Sequence, residues 1–89
     1  MASDREIVEA IVLKMHEFFG PLAFEYAVKV RGIIIKKQKV VAVEGGKKKI
    51  RELIAVYEQY LGRAATGVIL RALNPLMGKK EIGDLLSSR

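Results

Sequence analysis

The 89 residues carry 16 Lys or Arg against 10 Asp or Glu, a formal net charge of +6, and 51% are apolar. A chain this short forms one small domain, 1–89, and so much apolar content excludes a disordered tail. The absence of Cys excludes disulfides and thiolate metal sites, the single His excludes a His-rich one, and no cofactor is expected.

The first predicted helix lies near 4–19. Ser3-Asp4-Arg5-Glu6 has the S-x-x-E spacing of a capping box. Ile7, Ile11, Met15 and Phe18 then recur at helical spacing, flanked by Val8, Val12 and Phe19. Gly20-Pro21 stops this helix, because Pro starts a helix but cannot continue one. A second is expected over 21–32, with Ala23, Tyr26, Ala27 and Val30 inward. A third over 48–61 presents Ile50, Leu53, Ile54, Tyr57, Tyr60 and Leu61 on one stripe. Gly62 interrupts it. A fourth over 63–73 carries Ala64, Ala65, Val68, Ile69 and Ala72 and ends at Asn74-Pro75. A short last helix over 80–87 offers Ile82, Leu85 and Leu86, and Ser87-Ser88 reads as a frayed end.

A slide of 42 residues lays Gly20 on Gly62, Ala23 on Ala65 and Phe18-Phe19 on Tyr60-Leu61. This suggests an internal repeat, 5–44 and 47–86, of one helix–Gly–helix unit, since one helical hairpin cannot bury its own apolar face and two stacked can. Residues 33–45 read two ways. The β-branched runs Ile33-Ile34-Ile35 and Val40-Val41-Ala42-Val43 favour a β-hairpin. The repeat instead lays Val40 and Val43 on Ile82 and Leu85, which favours a linker and short helix capped by Gly45-Gly46. An isolated two-stranded hairpin is also marginal. The expected fold is therefore an all-α bundle of two similar hairpins. The alternative is α+β with a hairpin at 33–43.

Charge is concentrated. Residues 29–51 hold nine Lys or Arg and one acid, Glu44, a local net of +8 that favours anionic partners. A solvated lysine surface is the plainer reading. Lys36, Lys37, Lys39, Lys47, Lys48, Lys49 and Arg51 are the candidate anion or nucleic-acid contacts. Glu44-Gly45-Gly46-Lys47 precedes a helix start, where free N–H groups and the helix dipole attract anions. The P-loop spacing is absent, and no hydroxyl residue follows the lysine. Base-specific reading lacks outward Arg, Asn and Gln, and Phe18, Phe19, Tyr57 and Tyr60 are assigned to core stripes rather than stacking platforms. Sequence-independent phosphate contact is what the residues support.

No Ser–His–acid set is visible. His16 reads as structural, Ser3 as a cap, and Glu17 and Glu25 as surface carboxylates able to face each other across the Gly20-Pro21 bend. No enzyme is expected. Leu13, Phe24, Val28, Val56 and Leu70 lie off the inward stripes, which argues for an uncovered apolar surface and a homo-oligomer or protein partner. No apolar run nears the roughly 20 residues a membrane span requires. The charged start, Met1 to Glu6, lacks a signal peptide's apolar core. A cytoplasmic chain without a membrane partner is expected.

Glu17-Phe18-Phe19-Gly20-Pro21-Leu22-Ala23 resembles the G-P-[IL]-A turn of a small helical domain appended to some bacterial signalling kinases and response regulators. Tyr60-Leu61-Gly62-Arg63-Ala64-Ala65 is similar but lacks the Pro. The resemblance spans about 25 residues in each half and implies a regulatory interaction module, with no functional residues to carry over. Composition and resemblance thus lead to a non-catalytic, self-associating interaction module. The alternative is a small basic nucleic-acid-binding protein using residues 29–51.

Overall fold

The computed structural model describes residues 2–87. Met1 and Ser88 of the sequence readings lie outside them. Chain order is α1 (Asp4–Phe19), α2 (Leu22–Ala27), β1 (Ile33–Lys36), β2 (Lys39–Val43), α3 (Lys47–Leu61), α4 (Arg63–Leu73) and α5 (Lys79–Ser87). The fold is mostly helical with one two-stranded antiparallel sheet. The all-α expectation is corrected at 33–43, and the α+β alternative describes the molecule better.

α1 begins with the capping box its sequence announces. The Glu6 N–H donates to Ser3 Oγ at 3.2 Å, and the Ser3 N–H donates to Glu6 Oε1 at 2.9 Å. The hydrogen bond from the Ser3 backbone holds the Glu6 carboxyl below its usual range. Ile7, Val8, Ile11, Val12 and Met15 bury one face of α1, which packs on α2, α3, α4 and β2. That makes α1 the centre of the core. Ile50, Leu53, Ile54 and Tyr57 of α3 and Ala65, Val68, Ile69, Ala72 and Leu73 of α4 complete it. Ile82 and Leu85 of α5 are buried as well, with α5 lying against α3.

Two of the helix corners are the same shape. Gly20 has φ 71° and ψ −154°, and Gly62 has φ 70° and ψ −153°. At each, the glycine N–H closes the preceding helix, to His16 O at 2.8 Å and to Glu58 O at 2.9 Å. Its carbonyl then accepts from the next helix, from Ala23 N and Ala65 N, both at 3.1 Å. A positive φ is open to glycine at little steric cost, so one residue both ends a helix and starts another. After the corners the two halves diverge. α2 has six residues and α4 eleven, and strand β2 lies where the slide of 42 would lay helix α5.

The second helix is shorter than the 21–32 its periodicity suggests. Lys29 N donates to Tyr26 O and Val30 N to Ala27 O, each three residues back, so the chain tightens and leaves the helix after Ala27. Gly32, at φ 103°, then turns it into β1. The hairpin pairs Ile33 with Val43, Ile34 with Ala42, Ile35 with Val40 and Lys36 with Lys39, leaving Val41 as a bulge. It is not isolated, which is why the objection from marginal stability fails. Ile33 and Val40 are buried in the common core, and Arg5 of α1 donates to Val40 O at 3.3 Å. Gly45-Gly46, expected to cap a preceding helix, instead follows a strand, and Gly46 is the N-cap of α3.

Candidate interaction surfaces

The hairpin divides the lysine-rich window. Lys36, Lys37 and Lys39 stand at its tip, all exposed. Lys47 and Lys48 stand at the start of α3, beyond its base, also exposed. Lys39 and Val43 are four residues apart along β2, a rise of about 13 Å, so the structure does not gather the seven candidates into one site. Lys49 is already engaged. Its Nζ lies 3.1 Å from Glu52 Oε2, and its aliphatic stem runs beneath Gly45 and Gly32. Arg51 is half-buried, and its buried Nε has no hydrogen-bond partner among the described residues. The α3 start is electrostatically unusual. Three lysines occupy its first positions, no acid lies in its first turn and no side chain caps it. Cations at the positive end of a helix dipole destabilise it, by about 0.3–1 kcal/mol each.

The second surface is only half legible in the sequence. Leu13 and Val28 are exposed as expected, while Phe24, Val56 and Leu70 are half-buried. Phe18 and Tyr60, assigned to core stripes, are 50% and 49% exposed. Tyr60 lies flat on half-buried Tyr26, ring centroids 4.6 Å apart and planes 8° from parallel. The Lys29 ammonium sits 5.6 Å from the centre of the same ring. Arg71 of α4 sits equally far from the Phe18 ring. These pairs hold the rings in fixed positions at the surface, where cation–π contacts of this kind stabilise by about 0.5–1 kcal/mol.

The anchor beneath this surface is Tyr57. It is fully buried, and its hydroxyl donates to Ala23 O at 2.7 Å, tying α3 to the first turn of α2. Burial pushes its phenol well above the ordinary tyrosine value. Thr66 Oγ1 donates to Glu58 Oε2 across the Gly62 corner and locks α4 to α3 in the same way. On the other flank His16 of α1 packs against Phe24, centroids 4.9 Å apart. Glu17 pairs with Lys14 at 3.3 Å. Glu25 has no ion pair among the described residues.

Among the described residues no three His, Asp or Glu side chains are placed to hold a metal ion, and no helix is long and apolar enough to cross a membrane. Comparison of the chain with protein-family models, with curated proteins and with solved structures finds no match to any of them.

Proposed function

We propose that the chain is a non-catalytic interaction module that associates with itself. The observation that carries this reading is the apolar surface around α2. Among the described residues eight large apolar side chains are 36% to 58% exposed, and four of them belong to that neighbourhood. Leu22 and Val28 lie on α2 and at its end, Phe18 precedes its bend, and Tyr60 is stacked on its Tyr26. Apolar surface grouped in this way favours a protein contact, and a second copy is the simplest partner. The resemblance of the Gly20-Pro21-Leu22-Ala23 turn to a regulatory domain's turn points in the same direction. Sedimentation equilibrium tests the reading. The mean mass should rise from 9.9 kDa toward twice that value through the micromolar range. A constant 9.9 kDa would sink the self-association.

One observation favours a second reading, sequence-independent binding of nucleic acid. Lys47 and Lys48 stand at the positive end of α3 with no ion pair among the described residues, and a phosphate there would relieve their mutual repulsion. Replacing both by Ala should weaken duplex DNA binding alike for every sequence. The slope of log K against log[salt] should fall by about 0.9 for each phosphate no longer neutralised. Absence of binding to DNA and RNA at low salt ends this reading.

A further inference from the structure

α2 buries one side, exposes the opposite one and half-buries Phe24 and Tyr26 between them. At about 100° per residue, Ala23 and Ala27 face the core, and both are fully buried. Glu25 falls opposite them. Val28, the C-cap residue, lies on one side of Glu25, 58% exposed, and Leu22 lies on the other. Lys29 stands in the tighter turn that follows the helix, and its contact with the Tyr60 ring, itself stacked on Tyr26, puts it on the Leu22 side. The outward face therefore carries one acid and one base, four residues apart, between exposed apolar side chains. Glu25 and Lys29 are not paired with each other or with any other charge among the described residues. Lys29 leans on the Tyr60 ring instead.

Such a face is complementary to itself. Two α2 segments crossing antiparallel about a two-fold axis near position 27 place like edges together. Val28 then meets the partner's Val28 on one edge. Glu25, in the middle of the face, comes opposite the partner's Lys29, and Lys29 opposite the partner's Glu25. A stable dimer needs roughly 800 Å² from each copy, which is more than one short helix supplies. Tyr60 of α3 widens the face on the Leu22 side, where its ring is stacked on Tyr26.

Resting on the self-association proposed above, we infer that the outward face of α2 is the dimer interface, with reciprocal Glu25–Lys29 pairs and a second copy of this chain as its occupant. Both charges are exposed, so their replacement leaves the core untouched. The experiment uses the full chain in three forms: parent, Glu25→Lys and Lys29→Glu. Each variant alone sets like charges against each other in both pairs, and its dimer should dissociate about tenfold more readily. In an equimolar mixture of the two variants, every mixed pair is again Lys against Glu. The heterodimer should recover parental affinity, read by sedimentation equilibrium with thermal unfolding as the check on folding. A parent that stays monomeric overturns both the self-association and this interface. A parental dimer that neither variant weakens overturns this interface alone. Weakening in each variant without recovery in the mixture overturns the reciprocal pairing.

Discussion

Gly32 and Gly67 predict opposite outcomes for the same substitution. Gly32 sits at φ 103°, where the Cβ of an alanine would lie 2.3 Å from the Glu44 carbonyl oxygen. That oxygen belongs to backbone, so no rotamer relieves the clash. The Glu44 N–H also donates to Gly32 O at 2.8 Å, closing the hairpin base. Strained φ costs about 1–3 kcal/mol, and breaking the hydrogen bond costs about 1 kcal/mol more. Gly32→Ala should therefore cost about 3 kcal/mol, a large share of a small domain's stability. Gly67 lies inside α4, exposed, with nothing within 4 Å of an added Cβ. Gly67→Ala should gain about 0.8–1 kcal/mol from helix propensity alone. At about 4–8 °C per kcal/mol for this size, thermal unfolding followed by circular dichroism should separate the two. Gly32→Ala should melt at least about 12 °C below the parent and Gly67→Ala several degrees above it. If Gly32→Ala melts within about 2 °C of the parent, the close approach at the hairpin base is wrong.

The hairpin tip offers a gain. Lys37 at φ 52° and Gln38 at φ 62° occupy a two-residue turn that Asn-Gly fills better, so Lys37→Asn with Gln38→Gly should stabilise by about 1 kcal/mol, read as a higher urea midpoint. An unchanged or lower midpoint would argue against the left-handed turn. Tyr57→Phe removes the buried bond to Ala23 O and should cost about 1 kcal/mol. Burial raises the Tyr57 pKa in the folded state above the ordinary 10.0, so its contribution is complete below that pH and is lost as pH climbs beyond it. Alkaline unfolding should accordingly begin near pH 10.0 and be shallower in Tyr57→Phe; identical pH curves for parent and variant would show that this phenol is not the cause.

The helices are readable because their signals are local. Ser3 and Glu6 cap α1, glycines end α1 and α3, and the apolar stripe of α3 runs through Ile50, Leu53, Ile54 and Tyr57 as spacing suggests. At 33–43 a local signal and a long-range one disagree, and the repeat outweighs the local one, which the molecule follows. The β-branched runs at 33–35 and 40–43 do declare a hairpin, but the slide of 42 argues for a helix. Packing on α1 decides between them, through buried Ile33 and Val40 and the Arg5 hydrogen bond, and a tertiary surface is not written in the segment itself. The tip also lacks the Asn-Gly pair that marks such turns. Spacing makes α2 too long because Val30 keeps helical periodicity and is buried, although the chain has already left the helix. Tyr60 and Phe18 share their helices' apolar periodicity, yet in each last turn the next residue, Leu61 or Phe19, is the one that packs against the core, and Tyr60 and Phe18 are left half in solvent. The lysine window looks continuous in sequence because a hairpin's length does not show in a charge count.

Whether α2 faces a second copy of the chain can be read from an isotope-filtered NOE experiment on a mixture of labelled and unlabelled protein, at concentrations where the dimer forms. Intermolecular cross-peaks are expected between the Val28 methyl groups of the two copies, and from Leu22 and the Tyr60 ring to the other copy's α2. Intermolecular cross-peaks confined to Ile34 and Val41, the exposed apolar residues of the hairpin, would contradict that arrangement, as would their complete absence.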